Sequence, residues 1–171
     1  MIKSSLIFSA CLAFNLSAAA SSGSSAPDYP SCTDYRGMHV QYIPTDDLRK
    51  FNRHNTSIAI TVHMESGAPA IVFHEPTLKK SPAVFRKFVL AHECEHHKNG
   101  DVGRHATVSE EEFRMTEERA DCGALRSLGY GPREIEIIAR TSERLNPPIK
   151  THGGSISWSQ PDRRQILLSC L

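Results

Sequence analysis

The sequence predicts an α+β domain in which a small sheet packs beside two long helices. Short segments rich in β-branched and aromatic side chains, separated by turn signals, lie in the first half of the chain, which is typical of strands. They predict two or three strands at residues 38–43, 58–62 and 70–73, and residues 46–53 can form a short helix. Longer segments with apolar residues at helical spacing follow. At 171 residues, the chain has the length of one ordinary domain with one hydrophobic core.

The two long helices have recognisable ends in the sequence. The first begins at Ser81-Pro82, where serine can cap free amides and proline tolerates the first helical position, and it ends at Asn99-Gly100. The second begins with a capping box at residues 109–112 and ends at Gly129. Two shorter helices are predicted to follow, at residues 132–145 and 162–169.

Residues 1–20 have the pattern of a secretory signal peptide. Lys3 precedes an apolar run from Leu6 to Leu16, and small residues up to Ala20 form a cleavage site. The run is well short of the roughly twenty apolar residues that a membrane-spanning helix needs. We therefore expect cleavage near Ala20 and export to the periplasm or out of the cell. A lipoprotein signal at Cys11 is the weaker alternative, because the aliphatic position before it holds a phenylalanine.

The rest of the chain divides into a leader and one folded domain. Residues 21–31 are rich in Ser, Gly and Pro and predict a flexible leader, and the folded domain is expected to cover residues 32–171. The 20 basic and 19 acidic side chains leave a net charge of +1 without a long run of like charge. A nucleic-acid partner is therefore not expected. No later segment is apolar enough to cross a membrane, so the mature chain is expected to have no transmembrane segment.

The first long helix contains His92-Glu93-Cys94-Glu95-His96, an HExxH pattern. Four residues are about one helical turn, so both imidazoles lie on one face and can bind the same ion. Glu93 lies at the edge of that face, where its carboxylate can accept a proton from a metal-bound water. The pattern predicts a zinc site with Glu93 as the general base. The alternative is a solvated helix that happens to be rich in His and Glu.

A catalytic zinc site normally has three protein ligands, so a third ligand is needed. Asn99 and Val102 occupy the glycine and third-histidine positions of the longer HExxHxxGxxH pattern, which excludes that subclass. The second long helix contains Glu117 and, one turn further along the same face, Asp121. Glu118 is the alternative ligand. In another interpretation these acidic side chains only make surface contacts with nearby arginines.

Two further histidines lie near the motif. His97 points about 100 degrees away from the ligand face and is therefore not expected to bind the metal. His105 lies in the connection between the two long helices and could approach the metal, although a solvated loop position is favoured.

The two motifs together resemble a known family. An HExxH helix followed by ExxAD, here Glu117–Asp121, is similar to the glutamate-zincins, which include thermolysin-like peptidases and, with a closer likeness, the HtpX and CAAX-prenyl-protease type. The resemblance covers roughly residues 70–171 and is strongest at 88–132. It implies a minimal zincin-like domain with one zinc ion between the long helices and Glu117 as the third ligand. It also implies that Asp121 hydrogen-bonds a ligating imidazole and fixes its tautomer.

The resemblance implies an exported zinc metallopeptidase that acts on peptide or protein substrates. Thr151-His152 and the later Arg163 are similar to a Thr-His-Pro segment and an arginine of the family, so His152 and Arg163 are expected to donate to the oxyanion of the reaction. This sequence departs from the family in two ways: Gly153 replaces the proline, and the spacing from His152 to the arginine is longer than in the family. Residues 70–73 could form an edge strand that an extended peptide joins, or an ordinary core strand.

Two other functions compete with the peptidase. A zinc-containing domain of the same fold could bind peptides without cleaving them, although the presence of Glu93 would then need a blocked cleft or another defect. A thiol enzyme would use Cys94 or Cys122 beside a histidine, but cysteines of exported proteins tend to be paired.

Four cysteines remain once the signal peptide is removed: Cys32, Cys94, Cys122 and Cys170. An even number in an exported chain favours disulfides over buried free thiols, and three pairings are possible. We predict a Cys94–Cys122 bond because a metal that draws the two helices together brings these cysteines close. We also predict a Cys32–Cys170 bond, which would tie the start of the domain to its last helix.

Overall fold

The computed structural model describes residues 29–51, 57–103, 108–145 and 160–171, which form an α+β fold as the sequence predicts. The strands are β1 (Gln41–Thr45), β2 (Ala59–His63) and β3 (Pro69–His74). The α-helices are α1 (Glu75–Lys80), α2 (Ala83–Asn99), α3 (Glu110–Leu128), α4 (Pro132–Leu145) and α5 (Gln160–Ser169). The predicted signal peptide and nearly all of the predicted leader lie outside the described residues. No described helix combines the length and apolarity that crossing a membrane requires.

The central strand of the sheet is β3. The strand order is β1-β3-β2, with β1 parallel and β2 antiparallel to β3. Ile71 of β3 pairs with Tyr42 on one side and with Thr61 on the other. Residues 69–73 are all buried, which suits a continuous apolar run covered on both faces. The interpretation of residues 70–73 as an edge strand is therefore wrong, and the alternative of a core strand is confirmed.

The long helices end where the sequence predicts. Gly100 ends α2 in the left-handed conformation (φ 70°), and Gly129 ends α3 in the same way (φ 63°). Ser109 and Glu112 form the predicted capping box at the start of α3. The Glu112 N–H donates to the Ser109 hydroxyl over 3.2 Å, and the Glu112 carboxylate accepts from the Ser109 N–H over 2.9 Å. The predicted helix at residues 132–145 has the bounds of α4, and α5 begins slightly earlier than predicted.

One described helix, α1, was not predicted. It has only six residues and contains Pro76, which looks like a helix breaker in the sequence. Proline is tolerated here because it lies in the first turn, where its missing N–H has no partner to lose. The short helix expected at residues 46–53 is a single 3-10 turn at Leu48–Lys50, and residues 52–53 lie outside the described part of the chain.

The helix α2 lies at the centre of the fold, in contact with β2, β3, α3 and α4. The largest side chains of the core include Ile71, Phe73, Phe88, Leu125, Ile138 and Leu167. Burial of each such side chain stabilises the fold by about 1.5–3 kcal/mol. His97 adds a polar contact, because its Nε2–H donates to the Ala70 carbonyl over 2.9 Å and ties α2 to β3. This core holds the helix that carries the HExxH motif in a fixed position.

Both predicted disulfide pairings are wrong. The structure joins Cys32 to Cys94 and Cys122 to Cys170. Cys94 lies about 200 degrees round α2 from His92, so it faces the segment before β1 and not α3. Cys122 contacts the end of α5 instead. The bonds span sequence separations of 62 and 48 residues, and in the chain-entropy model each stabilises the fold by about 4 kcal/mol.

A glycine on α3 makes room for a side chain of α2. A Cβ atom on Gly123 of α3 would lie 2.5 Å from the Glu95 Oε2 atom and 2.7 Å from the Glu95 Cγ and Cδ atoms. These distances are shorter than the 3.5–4.0 Å at which non-bonded atoms attract best, given as a rough guide. Gly123 therefore leaves room on α3 for the Glu95 side chain of α2.

Gly123→Ala is expected to lower the free energy of unfolding by about 1–3 kcal/mol, because the added methyl group must displace the Glu95 side chain, whose Cγ and Cδ atoms it would overlap. In an open helix interior, the same change stabilises by about 0.5–1 kcal/mol. Urea unfolding therefore tests the contact, because the sign of the change in the free energy of unfolding differs between the two cases. In a Glu95→Ala background, which removes the opposing atoms, Gly123→Ala should be neutral or stabilising. Equal destabilisation in both backgrounds would refute the contact.

Candidate metal centre

Three predicted ligands converge between α2 and α3. His92 and His96 lie one turn apart on α2, and only 7% and 3% of their surfaces are exposed. Glu117 projects from α3, with 18% of its side chain exposed. The histidines share one face of α2 because the HExxH spacing matches one helical turn. The site is therefore buried on the histidine side and open to solvent on the glutamate side.

The ligand atoms have the spacing of a tetrahedral metal site. His92 Nε2 is 3.1 Å from His96 Nε2 and 3.4 Å from Glu117 Oε2, and His96 Nε2 is 3.3 Å from Glu117 Oε1. Ligand atoms bound tetrahedrally at about 2.0–2.1 Å lie about 3.3–3.4 Å from one another. The three residues could therefore hold one metal ion. Within the described residues, no second group of three or more such side chains converges in this way.

Asp121 holds the imidazole of His92. Its Oδ1 atom accepts a hydrogen bond from the His92 Nδ1–H over 2.8 Å. A carboxylate can only accept, so Nδ1 carries a proton and Nε2 faces the other ligands. Arg163 of α5 donates to the same carboxylate through Nε and Nη2, over 3.1 and 2.7 Å. Asp121 thus hydrogen-bonds the imidazole of His92, and Arg163 compensates its buried charge.

Asp101 holds the imidazole of His96 in the same way. This role of Asp101 was not predicted from the sequence. Its Oδ2 atom is 3.3 Å from His96 Nδ1, and its Oδ1 atom accepts a hydrogen bond from Arg119 Nη2 over 2.7 Å. The sequence does contain a signal for this residue. Asp101 directly follows Gly100, which ends α2, so the left-handed turn directs the chain back towards the last turn of the helix.

The cluster stabilises positive charge at the imidazoles. Burial lowers the pKa of His92, but its hydrogen bonds with Asp121 and Glu117 outweigh burial and raise the pKa to about 10. Burial raises the pKa of Glu117, but the hydrogen bonds of both imidazoles hold it well below its usual range. With both Nδ1 atoms bonded to carboxylates, the two Nε2 atoms face each other and need a cation between them. A proton or a metal ion meets that need, so metal binding would release protons.

Glu93 lies beside the ligands and is partly buried. Burial raises the pKa of its carboxyl group above the usual value, although the charges of His92 and His96 act in the opposite direction. A carboxyl group with a raised pKa can take up and release a proton nearer neutral pH. The direction of this shift suits a general base, which works best with a pKa near the operating pH.

The other candidate residues lie away from the ligands or outside the described residues. Glu118, the alternative ligand, forms an ion pair with Arg114. His97 contacts the backbone of β3 and not the ligand cluster. His105 and His152 fall outside the described residues, so the structure does not place them.

The disulfides remove one of the competing functions. Cys94 and Cys122 are both bonded to other cysteines. A thiol enzyme needs a free thiolate as its nucleophile. Neither residue can supply one in this structure.

No model of a known protein family, no curated protein and no solved structure matches this chain. The function is therefore inferred from the residues of the site.

Asp121→Asn is expected to weaken metal binding about tenfold to a hundredfold while the fold is kept. The amide is a weaker acceptor for His92 and leaves the charge of Arg163 without its partner. Competition between the protein and a chromogenic chelator for Zn²⁺ measures the change, and circular dichroism checks the fold. Unchanged affinity would mean that Asp121 has no part in holding the metal.

Arg163→Ala tests the contribution of the ion pair between Arg163 and Asp121. The neighbouring Arg164 provides a matched control. Arg163 holds Asp121, whereas Arg164 forms an ion pair with Glu136 of α4. Arg163→Ala should weaken Zn²⁺ binding, because Asp121 then loses the group that orients it. Arg164→Ala should bind Zn²⁺ like the wild type. An equal loss in both variants would point to general damage to α5.

Proposed function

We propose that this chain is an exported zinc-dependent metallopeptidase that hydrolyses peptide bonds with Glu93 as the general base. The observation that supports this most is the convergence of His92, His96 and Glu117, with each imidazole bonded to a buried aspartate. Two imidazoles and one carboxylate are the ligand set of one class of catalytic zinc site. Glu93 stands next to the first ligand, as hydrolysis by that class requires.

The ligand set favours a catalytic zinc site over a structural one. Structural zinc sites are normally closed by four protein ligands, whereas catalytic sites have three and keep one position for water. Imidazole ligands also favour zinc over magnesium and calcium, which prefer oxygen atoms only. Affinity alone would not exclude copper, so the metal has to be measured.

The residues of the chain have separate tasks in the proposed reaction. Bound zinc would supply a Lewis acid that polarises the substrate carbonyl and lowers the pKa of a water molecule. Glu93 removes the proton of that water and delivers it to the departing amine. Asp121 and Asp101 keep the imidazole protons on Nδ1. His152 and Arg163 are the proposed donors to the oxyanion, and the Nη1 group of Arg163 takes no part in the contact with Asp121.

Membership of the glutamate-zincins and export belong to the same proposal. The family resemblance is supported by the position of Glu117 and Asp121 on one face of α3, opposite the HExxH helix. Export is supported by the two disulfides, because disulfides persist mainly in oxidising compartments. Removal of the proposed signal peptide near Ala20 would keep all four bonded cysteines.

Purified protein is expected to contain one zinc ion per chain, and Glu117→Ala should lose it, because two imidazoles alone hold zinc poorly. Glu118→Ala is the matched control, since the neighbouring carboxylate pairs with Arg114 and should be dispensable. Metal analysis by mass spectrometry measures both. Zinc at one ion per chain in Glu117→Ala would rule out Glu117 as the third ligand.

Glu93→Gln is expected to keep the zinc and the fold but to lose peptide hydrolysis, since glutamine has nearly the same shape and cannot accept the proton. Glu95→Gln changes the other glutamate of the motif, which pairs with Lys98, and should remain active. Casein hydrolysis measures both variants. A Glu93→Gln variant as active as the wild type would refute the mechanism.

The non-catalytic peptide-binding module gives a different result in the same experiment. It predicts stoichiometric zinc and binding of peptides, with no cleavage of a mixed peptide library by the wild type or by any variant.

A further inference from the structure

We propose that Asp101 and Arg119 form a positioning pair that orients His96 for metal binding. This inference rests on the proposed zinc site. The inference adds a role for Asp101 and Arg119, which are neither proposed ligands nor part of the contact between Asp121 and His92. The side-chain hydrogen bonds of the pair join Asp101 to His96 and Arg119 to Asp101, so the pair would act through His96.

The end of α2 places Asp101 under His96. Gly100 adopts φ 70°, and the Asp101 N–H donates to the His96 carbonyl over 3.0 Å. This turn directs the Asp101 side chain back along the helix, where its Oδ2 atom lies 3.3 Å from His96 Nδ1. Only 2% of Asp101 is exposed. The aspartate is therefore held by its own backbone in the position that fixes the imidazole.

Arg119 compensates the charge of Asp101 from the opposite helix. Its Nη2 atom donates to Asp101 Oδ1 over 2.7 Å. The two carboxylate oxygens of Asp101 thus face different partners, with Oδ1 at Arg119 and Oδ2 at His96. Because Arg119 stands two residues from Glu117 on α3, the helix that presents the third ligand also holds the support of the second ligand.

The two aspartates are supported independently of each other. Arg163 reaches Asp121 from α5, whereas Arg119 reaches Asp101 from α3. A change in α5 therefore leaves the His96 side of the site intact. Conversely, loss of the Asp101 contact frees the His96 ring to rotate or to move its proton to Nε2, where the proton would block the metal.

The test compares Zn²⁺ affinity among purified full-length variants by chelator competition. Asp101→Asn should bind Zn²⁺ about tenfold to a hundredfold more weakly than the wild type. Arg119→Ala should be weakened by about fivefold or more, since outer partners contribute less than the direct contact. Arg119 is half exposed, so its removal is expected to leave the fold intact. Arg114→Ala is the matched control, because Arg114 lies on α3 and pairs only with Glu111 and Glu118 among the described residues.

A spectroscopic measurement separates positioning from general stability. The visible absorption of Co²⁺ bound in place of zinc reports the geometry of the ligands. It should change in Asp101→Asn and Arg119→Ala and stay unchanged in Arg114→Ala. Urea unfolding of the metal-free proteins shows whether the fold itself is altered. If Asp101→Asn does not fold, the Arg119→Ala result decides the matter.

Each outcome has a defined meaning. Weaker Zn²⁺ binding in both variants but not in Arg114→Ala supports the positioning pair. If Asp101→Asn or Arg119→Ala binds Zn²⁺ within about twofold of the wild type, the positioning pair is overturned and the proposed function is left intact. An equal loss in Arg114→Ala also overturns it. A wild-type protein that binds no zinc overturns the proposed function, and this inference with it.

Discussion

The structure depends on a cluster of charged groups buried between α2 and α3. Its four carboxylates belong to Glu93, Asp101, Glu117 and Asp121. When all four are ionised, the guanidinium groups of Arg119 and Arg163 compensate two of the negative charges, and two remain beside the imidazoles. An uncompensated charge inside a protein costs several kcal/mol. In that state the site needs two further positive charges, which either two imidazole protons or one divalent ion can supply.

The surrounding scaffold keeps the members of this cluster in contact. The sheet and the apolar core fix α2, and the Cys32–Cys94 bond joins it to the segment before β1. The Cys122–Cys170 bond holds the end of α5 on α3, next to Asp121. Because α5 also carries Arg163, a covalent bond supports the ion pair that orients His92. At Gly123 the missing side chain leaves room for Glu95 of α2 in the contact between the two helices.

Those parts of the fold that depend on neighbouring residues could be predicted from the sequence. The capping box, the glycine at each helix end and the shared face of His92 and His96 are decided within one or two helical turns. Other parts depend on how distant segments pack. The central position of β3 and the partners of the cysteines are of this kind, since nothing local to Cys94 indicates that Cys32 faces it.

Asp101 lies between these two cases. Its place after Gly100 is local and can be recognised in the sequence, but its second partner, Arg119, comes from another helix. The sequence motifs identify which residues can bind a metal. The aspartates and arginines around them determine how firmly the imidazoles are oriented, and that arrangement becomes visible only in three dimensions.

The central claim is that His92, His96 and Glu117 hold one zinc ion with an open fourth position. X-ray absorption at the zinc edge of the purified, metal-loaded protein tests it most directly. We expect a four-coordinate ion with nitrogen and oxygen neighbours at about 2.0–2.1 Å, including the outer-ring scattering of two imidazoles. Sulfur neighbours at about 2.3 Å, or a spectrum without imidazole scattering, would contradict it.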